Sequence, residues 1–86
     1  LKPYKDTEIK ENYVIREFSV DLDSEELKWH RDYEDRIVES IGKTDWKFQL
    51  ENELPITIKN KVFIPKGVWH RAIKGSTNLK VKITKL

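Results

Sequence analysis

Cysteine is absent from this 86-residue chain, and so is methionine. Without thiols there is no disulfide, no thiolate metal site and no cysteine nucleophile. The loss matters in a chain this short, because a domain of such size buries only about 60–65% of the surface its unfolded chain exposes. Small scaffolds are ordinarily supported by disulfides, a metal or a partner subunit. With the first excluded, a metal or self-association remains. A cysteine-free chain reports no redox compartment, and a cytoplasmic location is the simpler expectation. Long hydrophobic runs are missing too. None approaches the roughly 18 residues of a membrane-spanning helix, and the opening "LKPYKDTEIKEN" has no signal-like apolar core. With no methionine and Leu1 as its first residue, the chain is expected to have its native start upstream. Nor is there an excess of one charge: 17 basic residues face 15 acidic ones, a net +2. The two signs are interspersed, which suits a solvated surface better than a phosphate-binding stripe.

What is present is alternation. Charged residues fill positions 2–12, which reads as a solvated N-terminal arm over residues 1–12. From Tyr13 to Leu86 short segments follow one another with turn signals between them, and we read these as one domain. "YVIREFSV", "LKWHRD", "RIVESI", "DWKFQL", "LPITI", "KVFI" and "VWHRAI" are separated by polar or glycine-containing breaks, including Lys59-Asn60 and Pro65-Lys66-Gly67. "NLKVKITKL" is the clearest: Leu79, Val81 and Ile83 fall on one face, Lys80, Lys82 and Thr84 on the other. Period-two alternation over these lengths predicts half-buried strands. "SEELKWHRDYEDRIVES" holds no single helical stripe, so it reads as two strands and a loop. The expected class is all-β, a small antiparallel β-barrel or jelly roll.

The chain has only two histidines. In a strand, residues i and i+2 share a face. His30 and Asp32 therefore point together, away from Trp29 and Arg31. His70 groups with Val68 and Ala72, opposite Trp69, Arg71 and Ile73, and the Pro65–Gly67 turn aims it back into the sheet. Two imidazoles and one carboxylate on one side of a metal leave open positions opposite, an arrangement used by non-haem iron oxygenases. Such ligands suit iron, manganese, nickel, cobalt or zinc, and ligand type alone does not choose among them; iron is the first expectation.

Pro65, Gly67 and His70 resemble the second conserved motif of the cupin superfamily, Pro-x-Gly-x-x-His. "WHRDYEDRIVESIG" resembles the first, with Asp32 where cupins usually place a second histidine. The likeness covers residues 27–86. It implies a small β-barrel with one divalent transition metal near its centre, bound by His30, Asp32 and His70. Asp35, seven residues before Gly42, is a candidate fourth ligand, and its face would be shared by Ile37, Glu39 and Ile41, all turned inward. Arg36, Gln49 and Arg71 are candidates for holding a substrate carboxylate or ordering a ligand, set against a plain surface role.

Trp46, alternating with Phe48 and Leu50, reads as core. Leu27 with Trp29, and Trp69 with Ile73, fall on the outer faces, and an exposed apolar patch of this kind predicts a homodimer. The functional expectation is a metalloenzyme acting on a small polar molecule, as an oxygenase or a metal-assisted isomerase or lyase. A cupin binding metal or a small ligand without turnover is the alternative. A nucleic-acid-binding β-barrel is disfavoured, because Lys80 and Lys82 alternate with a buried row as on any edge strand.

Overall fold

The computed structural model describes residues 4–23, 27–58 and 61–86. Lys59-Asn60, expected as a turn, lies outside the described residues. Eight strands run in chain order: β1 (Lys5–Ile9), β2 (Tyr13–Phe18), β3 (Arg36–Ser40), β4 (Lys47–Leu50), β5 (Ile56–Thr57), β6 (Lys61–Ile64), β7 (His70–Ile73) and β8 (Leu79–Lys85). The described residues contain no helix. All pairings are antiparallel. They form a five-stranded sheet of order β1-β2-β8-β3-β6 and a three-stranded sheet of order β5-β4-β7. The ladders thus stop short of the closed barrel expected from sequence. With β5 only two residues long, the small sheet has little edge with which to join the large one.

The inner faces of both sheets share one core. Val14 and Phe18 of β2, Val38 of β3, Val62 and Ile64 of β6, and Leu79, Val81 and Ile83 of β8 line the large sheet. Phe48 and Ala72 come from the small one, with Trp46 just before β4 and Ile58 just beyond β5. Trp46 is wholly buried, and its indole N–H donates to the Thr77 carbonyl. The alternation of β8 is realised residue by residue, with Leu79, Val81 and Ile83 buried against Lys80 outside. Trp46 and Phe48 are core as expected, with Leu50 packed at the core's margin.

Three expectations need correction. Part of the N-terminal arm is strand β1, paired with β2 through a register shift between Asp6 and Glu8. A charged, bulged strand is a stable way to end a sheet without offering a sticky edge. "LKWHRD" forms no strand and pairs with the sheets through a single bridge, His30 to His70, with Leu27 packed at the core's margin. On β3 the parity is opposite to the expected one: Val38 is buried, while Ile41 beyond the strand is 45% exposed. Glu39 therefore faces out, opposite Lys61 of β6 and Lys82 of β8, where opposite charges on adjacent strands are favourable.

Candidate metal centre

The turn after β6 sets the site. Val68 N–H donates to the Pro65 carbonyl at 3.2 Å, and Gly67 sits at the third position with φ 80°. That is the type II geometry that glycine adopts without a steric penalty. Gly67 N–H also donates to the Asp32 carbonyl at 2.9 Å. Three residues on, His30 and His70 exchange both backbone hydrogen bonds, at 2.9 and 2.8 Å. Residues so paired across antiparallel segments project to the same side. The two imidazoles accordingly meet edge to face, with ring centroids 4.2 Å apart.

Each ring is oriented the same way. His30 Nδ1 lies 3.2 Å from the Lys28 carbonyl and His70 Nδ1 lies 2.8 Å from the Val68 carbonyl. A carbonyl only accepts, so in a neutral ring held this way Nδ1 carries the hydrogen and Nε2 keeps its lone pair. Asp32 completes the group: one atom from each of His30, Asp32 and His70 lies within 4.8 Å of the others. His70 is 3% exposed, whereas His30 is open to solvent.

The His70–Asp32 contact is chemically unusual. Asp32 Oδ2 is 3.3 Å from His70 Nε2. Burial holds the His70 pKa below the ordinary value of 6.5, with the His30 and Arg36 charges acting the same way and the Val68 carbonyl and Asp32 opposing. Neutral His70 presents a lone pair to a carboxylate oxygen that is itself buried and, among the described residues, without a hydrogen-bond donor. Two acceptors facing one another could hold a cation between them. Ligand atoms at about 2.0–2.2 Å from one ion lie roughly 3–4 Å apart, a small side-chain movement from this arrangement.

The depressed His70 value has a measurable consequence. As pH falls below 6.5, the unfolded chain takes up a proton that folded His70 resists, so stability declines until the lower folded value is passed. Urea denaturation of metal-free protein is expected to show a lower midpoint at about pH 5.5 than at about pH 7.5. The difference should shrink in His70→Gln, and an undiminished difference there would assign the effect elsewhere.

Beside the triad lies a cavity of about 400 Å³. Arg36 enters it from β3 and pairs with Asp32 Oδ1 at 3.3 Å and Glu34 at 3.1 Å. Of the residues expected around the ligands, Arg36 alone is brought there. Arg71 and Gln49 lie on the outer side: Arg71 Nε donates to Gln49 Oε1, and Gln49 Nε2 donates to the Glu53 carbonyl, each at 3.0 Å. Asp35 is exposed and accepts from Lys66 N–H at 2.8 Å, steadying the Pro65–Gly67 turn instead of joining the triad. Leu27, expected on the outside with Trp29, lines the cavity.

Sequence reading missed two features. Arg16 lines the cavity from β2, between Val14 and Phe18 on the inner face, and the alternation of "VIREF" would have placed it there. The tripeptide Trp-His-Arg occurs twice, at 29–31 and 69–71. Antiparallel pairing about the histidines sets Arg71 over Trp29 at 4.8 Å and Arg31 over Trp69 at 5.0 Å. These cation–π contacts clamp the outer side of the bridge that aligns the two imidazoles.

No protein-family model matches the sequence, and no curated protein does. Solved structures do match. An RmlC-like cupin family protein with a double-stranded β-helix fold from Methanocaldococcus jannaschii gives a TM-score of 0.66 at 19% identity, over 99% of this chain and 79% of its own. A cupin-2 domain protein from Shewanella frigidimarina gives 0.61 at 16%, over 93% and 76%. A structure of the DMSP lyases RdDddP and RnDddQII gives 0.72 at 13%, over 85% of this chain and 36% of that one. This chain therefore spans only about a third of that lyase's length. At such identities the likeness is one of architecture, and the chain has the fold of the cupin superfamily, all-β and helix-free among its described residues.

Proposed function

We propose that this chain binds one divalent transition metal, iron first among the candidates, through His30, Asp32 and His70, and acts with it on a small polar molecule in the adjoining cavity. The observation that carries the reading is the pair of buried acceptors, His70 Nε2 and Asp32 Oδ2, 3.3 Å apart beside the second imidazole. A bound metal would supply a Lewis acid, or a site for oxygen, at the cavity wall. The chain's own contribution is positional. The Lys28 and Val68 carbonyls fix the ring orientations, Arg36 holds Asp32 Oδ1 and leaves Oδ2 to the ion, and the apolar wall restricts water.

A ligand-sized cavity next to the triad favours turnover over storage. Isomerisation, elimination and oxygenation all fit such a site, and the DMSP lyases among the structural neighbours lend weight to elimination. The half-exposed indoles of Trp29 and Trp69 support a second copy packing on the outer face.

Elemental analysis of protein purified without added metal tests the centre. Wild type is expected to carry close to one equivalent, with His30→Ala and His70→Ala depleted while their far-ultraviolet dichroism persists. Full metal content in both variants would falsify the assignment. So would a wild type that takes up neither iron, nickel, manganese, cobalt nor zinc on reconstitution.

A further inference from the structure

We infer that the cavity selects a small organic carboxylate with a short apolar body, a substrate class that deepens the metal-centre reading and rests on it for the ion. Among the described residues the cavity wall carries three cationic side chains, Arg16, Lys28 and Arg36, and a single carboxylate, Asp32. Inward-pointing guanidiniums on an otherwise apolar sheet face are costly, and each is held in place at some expense of fold. Arg16 donates to both oxygens of Asp6, at 2.8 and 3.3 Å, and lies 3.6 Å over the Tyr4 ring. Arg36 is braced by Asp32 and Glu34.

Charge balance then gives the sign of the ligand. Asp6 and Glu34 offset the two arginines, and Asp32 offsets half the charge of a divalent ion. Among the described residues, the remaining half and the solvent-exposed Lys28 leave the cavity net positive once a divalent ion is bound. Arg36 also retains donor capacity, since its Nε is buried without an acceptor among the described residues. An anion is the complement.

The rest of the wall defines what the anion is attached to. Phe18, Phe48, Ile64, Ala72 and Ile83 are apolar and offer no hydrogen bonds from their side chains, and Tyr4, its ring under Arg16, adds one hydroxyl. About 400 Å³ is at the small end of ligand sites. A bare inorganic anion would leave that apolar wall wet, and a sugar would leave its hydroxyls unpaired against it. A planar carboxylate on a short hydrocarbon satisfies both parts, with the guanidinium edge matching its two oxygens.

Butyrate, butyramide and inorganic phosphate serve as probes, titrated against metal-loaded and metal-free protein by calorimetry and by NMR of the arginine side-chain Nε–H signals. Metal content is measured on the same samples. Butyrate is expected to bind about tenfold or more tighter than the isosteric butyramide, a charge-assisted bond being the difference. Arg16→Gln, which touches no member of the triad, should weaken butyrate roughly threefold or more while leaving metal content unchanged. Arg16→Lys should recover part of that. Equal binding of butyrate and butyramide, phosphate binding as tightly as butyrate, or an unaffected Arg16→Gln would each overturn the inference. Protein that takes up no metal on reconstitution yet still prefers butyrate would sink the metal centre and leave the anion site standing. A metal-loaded sample that takes both organic probes alike would do the reverse.

Discussion

Stripping the ion from metal-loaded protein is expected to lower its melting temperature by roughly 15–30 °C. An ion present at 1,000 times its dissociation constant stabilises the folded state by about 4 kcal/mol, and in a domain of 60–100 residues each kcal/mol is worth roughly 4–8 °C. The chain has little else to lean on. A stability of about 0.05–0.15 kcal/mol per residue gives this chain on the order of 4–13 kcal/mol in total, and it has no disulfide. The local reason is the face-off between the His70 lone pair and Asp32 Oδ2, which a cation relieves and chelation restores. Scanning calorimetry before and after treatment with a strong chelator makes the measurement. A shift below about 3 °C, under 1 kcal/mol, would mean that the triad holds no ion of consequence.

Trp46→Ala should cost about 3–5 kcal/mol, the range for truncating a fully buried large aromatic. Trp46 is 0% exposed and its ring lies against Phe18 at 5.8 Å between centroids. It stands at the junction of the two sheets, and its N–H is the donor to the Thr77 carbonyl. Removing it opens a cavity and leaves that carbonyl without its donor. Against a total of roughly 4–13 kcal/mol, the metal-free variant should be largely unfolded at 37 °C, and saturating metal should recover part of the loss. Trp46→Phe keeps most of the packing and should fall in between. Urea denaturation of the three proteins gives the ranking, and a Trp46→Ala cost under about 1 kcal/mol would show that the sheets do not depend on this contact.

Both expectations rest on residues whose placement was visible in the sequence to different degrees. Trp46 and β8 were legible because alternation there is unambiguous: apolar residues hold one parity and polar residues the other. His70 was legible because Pro65 and Gly67 fix a turn of known geometry just before it. β3 was not, since Ile37, Val38 and Ile41 put apolar side chains on both parities. Arg36 decided the matter, and its long side chain points inward only because Asp32 and Glu34 meet it there. That is a tertiary fact. β1 was hidden by its charges, which solvate an edge strand as readily as a loop. The segment around His30 was misjudged as a strand, and Leu27 with it, although the directions expected for Trp29, His30, Arg31 and Asp32 were correct. One pair of exchanged backbone bonds imposes the same alternation as a full ladder.

That solitary rung bears on how fast an ion would come and go. Because His30 is tied to the sheets by a single bridge, the segment carrying it and Asp32 can swing away while both sheets remain intact. Escape of a bound ion would then be timed by the breaking of the two bridge bonds, the Gly67–Asp32 backbone bond, the Asp32–Arg36 pair and two arginine–indole contacts, not by the lifetime of the folded domain. A metal held this way would exchange without the two sheets having to come apart.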